Sequence, residues 1–239
     1  MAHSDDNLSY EVNGNVAVLT LDDGKANAVS HELIASVESA LDRAATEARS
    51  VLIAGRPGKF SAGFELSTMT ASPASARALV AAGARMLVKI YTHPQPVVAA
   101  CTGHALAAGA LLLLAADRRI GAEGAFKIGL NEVAIGLRLP VFAIELARER
   151  LSKRHFTAAT VNARIYDPAG AREAGYLDDV VPEAELLERA LGEAAGAAEL
   201  PSGALAMTKE LSRRAFADHV LRSLDADLAE LGMPSAAKK

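Results

Sequence analysis

The segment Cys101-Thr102-Gly103-His104-Ala105-Leu106-Ala107-Ala108-Gly109-Ala110-Leu111 decides how the rest of the chain is read. Before it, Val97–Cys101 is a short apolar run of strand character, and the chain turns at Thr102-Gly103 into an unbroken apolar stretch. That stretch, residues 105–116, is about a dozen residues long, short of the ~18 expected of a membrane span, and half of it is Ala or Gly. Residues 107–116 therefore read as a helix buried in a protein core. A strand, a glycine turn and a buried helix in so few residues indicate α/β architecture.

The same alternation extends outward. Val16–Leu21 reads as a strand and Asp22-Asp23-Gly24-Lys25 as the turn after it. Ser30 fits a helix N-cap, Glu32 the first turn, and Leu33, Val37, Ala40, Leu41 and Ala44 one apolar face. Residues 51–54 form a second strand, closed by Gly55-Arg56-Pro57-Gly58, and a helix over residues 75–91 leads to His93-Pro94-Gln95-Pro96. Residues 119–121 and 125–128 read as paired short strands. From Pro140 onward the pattern is helical, broken at Pro182 and Pro201. The expected organisation is a core with the active site over residues 1–182 and a helical region over residues 183–239.

Composition removes several function classes. With 51% hydrophobic and 23% charged residues among 239, the chain is one well-packed unit and disorder is excluded. A net charge of −4, no Trp and 4% aromatics argue against a nucleic-acid surface. The single cysteine, Cys101, forms no internal disulfide and no zinc site by itself, which fits a reducing compartment. The polar, acidic residues 1–7 lack the character of a secretory leader, and a cytoplasmic location without membrane contact is the expectation.

Three segments carry chemistry: Gly58-Lys-Phe-Ser-Ala-Gly-Phe-Glu-Leu66, the segment 101–111, and Phe126-Lys-Ile-Gly-Leu-Asn-Glu-Val-Ala-Ile-Gly136, which holds a lone acid, Glu132, among apolar neighbours. Together with Ala169-Gly-Ala-Arg-Glu-Ala-Gly-Tyr-Leu-Asp-Asp-Val-Val-Pro182, they resemble the crotonase (enoyl-CoA hydratase/isomerase) superfamily over residues 12–208. The resemblance implies a crotonase-like spiral of ββα turns with C-terminal helices used in trimer contacts. It also implies an acyl-CoA thioester substrate, a homotrimer or dimer of trimers, and an oxyanion hole made by the backbone N–H groups of Phe64 and Ala108. Removing a proton beside a thioester carbonyl places negative charge on its oxygen, and fixed amide dipoles in a dry site stabilise that charge. By the same resemblance Lys25, Ala26, Ala62, Phe64, Leu66 and Leu111 lie along the bound substrate and its CoA, and Lys209 is a candidate phosphate contact. No metal and no cofactor beyond the substrate's coenzyme A are expected.

Three departures from the family pattern matter. Ala107 and Ala108 stand where glycines are usual, and Glu65 stands where an Asp is usual. Hydratases carry two acids, and the first belongs where this chain has Leu111, leaving only Glu132. One base suffices to move a proton from C2 to C4, as in Δ3,Δ2-enoyl-CoA isomerases of the mitochondrial type. Those resemble this chain around residues 128–132, at Leu111, and at Met207-Thr208-Lys209. Apolar Leu130, Val133 and Ile135 are expected to raise the Glu132 pKa toward neutrality. The alternatives are a hydratase that recruits another acid such as Glu65, or a non-catalytic acyl-CoA-binding protein. Blander roles fit other polar groups: a satisfied loop histidine at His104, a structural acceptor at Asp117, a helix-end acid at Glu65, plain core at Cys101. Ser61 lacks the spacing of a nucleophile elbow. Residues 136–140 lack the nucleophilic aspartate that dehalogenase chemistry needs.

Overall fold

The computed structural model describes residues 3–5 and 7–231. In chain order it begins with β1 (His3–Asp5), β2 (Leu8–Asn13), β3 (Val16–Leu21), β4 (Ala28–Val29) and α1 (His31–Glu47). Next come β5 (Ser50–Ala54), β6 (Gly58–Ser61), β7 (Gly63–Phe64), α2 (Leu66–Ala71), α3 (Pro73–Tyr91), β8 (Val97–Cys101), β9 (Gly103–Leu106) and α4 (Ala108–Ala115). Then follow β10 (Arg118–Ala122), β11 (Ile128–Gly129), α5 (Val141–Arg150), α6 (Phe156–Thr160), α7 (Pro168–Ala174), β12 (Asp179–Val181), α8 (Leu186–Ala198) and α9 (Ser202–Ala229).

A seven-stranded sheet in the order β1-β2-β3-β5-β8-β10-β12 forms the body; β1, β2 and β3 pair antiparallel and the rest parallel. A second parallel sheet, β11-β9-β6, and the pair β4-β7 stand beside it. The chain repeats one move four times: a strand in the large sheet, a strand in a small one, then a helix. The units are β3-β4-α1, β5-β6-β7-α2-α3, β8-β9-α4 and β10-β11-α5, which is the expected ββα spiral.

The physical cause of the two-faced sheet is legible in β5 and β8, whose residues are all buried. Strands covered on both sides carry continuous apolar runs rather than alternation. On one face Val51, Ile53, Val97 and Ala99 join the main core with α1, α3 and α4. On the other, Leu52, Ala54, Val98 and Ala100 meet Leu186, Ala190 and Ala194 of α8. Ser30 caps α1 as expected, its side chain accepting from the Leu33 N–H. The helix expected from residue 75 begins two residues earlier, because Ser72 caps it and Pro73 occupies its first turn, where a missing N–H costs nothing.

Two expectations are corrected. Residues 119–121 and 125–128 do not pair with each other: β10 lies between β8 and β12, and Ile128–Gly129 pairs with Ala105 and Leu106 of β9. Nor is the chain purely helical after Pro140, since Asp179–Val181 adds a parallel edge strand to β10. At three residues β12 is too short to show a period-2 pattern of its own.

Candidate active site

The two glycine-containing segments meet at the N-terminus of α4. Gly63 adopts φ +97, and a side chain there would bring its Cβ within 2.8 Å of the Ala107 methyl and 3.4 Å of the Ala108 nitrogen. A Cβ on Gly109 would overlap the Ser61 carbonyl, so only glycine lets the first turn of α4 rest on that loop. The first loop is stitched from beneath by Asn27, a fully buried side chain whose amide donates to the carbonyls of Leu21, Lys59 and Phe60. Ser61 Oγ donates to the Asn27 carbonyl at 2.7 Å. Asp23 fixes the approach: burial opposes its ionisation, but the backbone N–H groups of Asn27, Lys25 and Ala28 donate to it and hold its pKa below the ordinary value.

The Glu65 N–H donates to the Val29 carbonyl. Alternation along the extended segment therefore turns the neighbouring Phe64 N–H away from β4. Ala108 opens α4, and no side chain caps that helix. The N–H groups of a helix's first turn have no intrahelical acceptor and carry its positive end.

These elements border a cavity of about 360 Å³ lined by Ala28, Ala62, Phe64, Leu66 and Ala107 on the loop side and by Met69, Val80 and Leu111 from the helices. The far wall consists of Asn131, Glu132, Ile135, Leu137, Arg138, Pro140, Phe142 and Leu231. Glu132 precedes a single 3₁₀ turn, Val133–Ile135, and its carbonyl accepts from the N–H groups of Ile135 and Leu137 at 3.0 Å each. Its Oε2 is sealed from solvent without a hydrogen-bond partner among the described residues. Burial pushes the carboxyl up to about 7, against the weaker opposing effect of the Glu132 and Asn131 backbone amides. Of the three expected apolar neighbours, Leu130 is buried and Ile135 lines the cavity, while Val133 is 44% exposed.

The cavity thus brings together Glu132, Phe64, Ala62, Leu66 and Leu111, with Ala108 at its edge. Lys25 and Ala26 do not line it; Lys25 is exposed, and its carbonyl accepts from Arg56, while the Ala26 carbonyl accepts from the Ala62 N–H. Lys209 is not at a phosphate position: it is buried, donating to Asp117 Oδ2 at 2.7 Å and to the Gln95 carbonyl at 2.8 Å. Burial lowers its pKa to about 8 despite the Asp117 partner. Asp117 is the expected structural acceptor, taking also the Val97 N–H and Arg213. Glu65 accepts from Thr68 in the first turn of α2, and His104 Nδ1 accepts from the Lys127 N–H. Sequence reasoning missed Arg138 and Leu231. Arg138 pairs with Asp227 at 2.7 Å, which ties the end of α9 to the wall. No local motif marks a wall supplied from almost a hundred residues away.

A wider, open groove of about 910 Å³ runs along α8, lined by Glu188, Arg189 and Glu193 among others. There Arg189 and Glu193 neutralise one another at 3.0 Å, and no sealed acid is present. Among the described residues no cluster of His, Cys, Asp or Glu suits a metal ion, and no helix is long and apolar enough to cross a membrane.

Comparison with known proteins agrees with this architecture. The enoyl-CoA hydratase/isomerase family model matches residues 11–238. The chain therefore belongs to the enoyl-CoA hydratase/isomerase family, the crotonase superfamily, whose fold it has. It is 29% identical over 218 residues to the human mitochondrial enoyl-CoA delta isomerase 1, covering 89% of this chain and 72% of that one. It is 34% identical over 213 residues to a probable enoyl-CoA hydratase of Bacillus subtilis, covering 85% and 81%. An enoyl-CoA hydratase/isomerase family protein from Pseudomonas syringae superposes with a TM-score of 0.93 at 42% identity, covering 95% of this chain and 99% of that one.

Proposed function

We propose that the protein moves the double bond of a 3-enoyl-CoA to give the 2-trans-enoyl-CoA, with Glu132 as its single acid/base. The thioester oxygen is held by the N–H groups of Phe64 and Ala108. Glu132, ionised, takes a proton from C2; the electron pair of that C–H bond forms a C1–C2 double bond as the carbonyl pair moves onto the oxygen, giving a dienolate conjugated with the 3,4 double bond. As the carbonyl re-forms, the 2,3 double bond is made and Glu132 returns its proton to C4. No water enters the balance, and no metal or redox group is needed.

One observation carries the reading: Glu132 is the carboxylate in a cavity otherwise lined mostly by apolar side chains, with Leu111 buried where a second acid would be required. A pKa near 7 supports it, because an acid/base is most effective when both forms are accessible at the working pH. The likeness to the human delta isomerase points the same way. A hydratase remains the second reading, favoured by the 34% identity to the Bacillus subtilis protein. Against it, Glu65 is engaged with Thr68 and does not line the cavity. Assembly into a homotrimer or a dimer of trimers through the C-terminal helices belongs to the same proposal and is supported by the exposed Leu200, Met207 and Leu211.

The test offers the purified protein 3-enoyl-CoA and, separately, 2-enoyl-CoA. Isomerase activity yields 2-enoyl-CoA from the first and little 3-hydroxyacyl-CoA from the second. Rapid hydration of the second substrate overturns the reading in favour of a hydratase, and tight binding without turnover of either one in favour of a binding protein.

A further inference from the structure

Ala107 holds a conformation that an L residue rarely adopts: φ +51 with ψ −122. That ψ lies well outside the small left-handed helical region open to non-glycine residues. The backbone fixes it there from both sides, its N–H donating to the Gly129 carbonyl at 3.0 Å and its carbonyl accepting from the Leu111 N–H at 3.1 Å. Glycine would take up the same conformation freely, so the methyl is kept where the backbone gains nothing from it. That methyl lines the cavity with Glu132 and lies so close to Gly63 that a Cβ on Gly63 would come within 2.8 Å of it. It therefore belongs to the residue that precedes the Ala108 amide and sits beside Gly63, the residue that precedes the Phe64 amide.

We propose that Ala107 determines specificity: its methyl occupies the space beside C2 of the bound thioester and excludes acyl groups branched at that carbon. The inference rests on the reading that an acyl thioester binds with its oxygen between the Phe64 and Ala108 amides. Covalent geometry places a residue's Cβ about 3 Å from the next residue's nitrogen, so the Ala107 methyl borders the oxygen's site and the carbons attached to it. C2 carries the chain and two hydrogens. One hydrogen must face Glu132, and a methyl branch replaces the other, on the side the Ala107 methyl fills.

The experiment measures binding of a saturated unbranched acyl-CoA and its 2-methyl counterpart by calorimetry, for wild type and Ala107→Gly. Wild type should favour the unbranched ligand by about 10–200-fold, the range one methylene commands in a fitted pocket. Ala107→Gly should bring the two affinities to within about threefold of each other, on the same scale. The same ratio should fall in kcat/KM for 3-enoyl-CoA against its 2-methyl analogue. A methyl that serves only packing would shift the melting temperature and leave the ratio unchanged, which overturns the proposal, as does equal binding of both ligands by wild type. Because saturated ligands need no turnover, discrimination that Ala107→Gly removes in a protein converting neither substrate would sink the isomerase reading and leave this inference standing. Failure of wild type to bind either ligand would overturn both.

Discussion

Replacing Glu132 by Gln tests the site through stability as well as activity. In the folded protein burial raises the Glu132 carboxyl from 4.5 to about 7. At about 1.4 kcal/mol for each tenfold change in an equilibrium, ionised Glu132 costs the folded state about 3 kcal/mol at a pH well above 7. The sign follows from proton binding. Between pH 4.5 and 7 the folded state keeps a proton that the unfolded chain has released, so this contribution is fully present below 4.5 and is lost as pH rises through about 7. Gln carries no charge at any pH. Glu132→Gln should therefore match wild type in stability near pH 4 and exceed it by about 3 kcal/mol at pH 8.5, about 6–12 °C in Tm for a chain of this size. Urea unfolding of both proteins across that pH range measures the gap. Activity must move the opposite way. Wild-type kcat/KM should rise with pH to a plateau with a midpoint near 7, and the variant should lose about 10²–10⁴-fold. Parallel stability curves, or a variant that turns over normally, would refute the assignment of a desolvated base.

Four further outcomes are expected. Leu111→Glu places a second acid in the cavity and should raise hydration of 2-enoyl-CoA, at a cost of several kcal/mol because the site is only 1% exposed; rates with 2-enoyl-CoA and a urea melt measure the two effects. Gly109→Ala gains about 1 kcal/mol of helix propensity, but its methyl overlaps the Ser61 carbonyl, so the two loops must separate. Loss of one oxyanion donor's alignment should lower kcat by about 10²–10³-fold. Lys209→Ala leaves Asp117 with fewer partners in a largely buried pair, and denaturant unfolding should show a loss of about 3 kcal/mol with little change in KM. Ser30→Ala removes the cap of α1 and should cost about 1 kcal/mol, read by the same unfolding and without effect on rate.

The parts of the fold that were legible in the sequence are those in which local chemistry and burial agree. Val97–Cys101 and residues 51–54 are apolar throughout because both faces of their sheet are covered, and α4 is apolar all round because all eight of its residues are buried. Ser30 announces α1 through an ordinary cap. The strands β4, β7 and β11 have two residues each, too few to display any period, and exist because a neighbouring backbone supplies partners. In the site, the carboxylate, the apolar Leu111 and the two loops were readable because each lies in a contiguous motif. Asn27 was not: its role comes from three carbonyls, two of them more than thirty residues away. Phe142 and Leu231 were not for the same reason, since a cavity wall is assembled by packing and leaves no pattern in the local sequence around either residue.

Two features on one cavity work against folding, and their coincidence is informative. An acid with an unpartnered oxygen is held out of water at Glu132, and a methyl is held at positive φ at Ala107. Gln at the first position and Gly at the second would each relieve an unfavourable term without enlarging any side chain. Local departures from what stabilises a chain gather where something other than stability is being met. They are not independent in space: the Ala107 N–H is held by Gly129, three residues before Glu132, and the Ala107 carbonyl by Leu111. The same short stretch of backbone thus sets the methyl, the start of α4 and the approach to the carboxylate. A change that relaxes one is expected to shift the others, which is why Ala107→Gly should alter substrate choice in the same protein that Glu132→Gln makes more stable and less active.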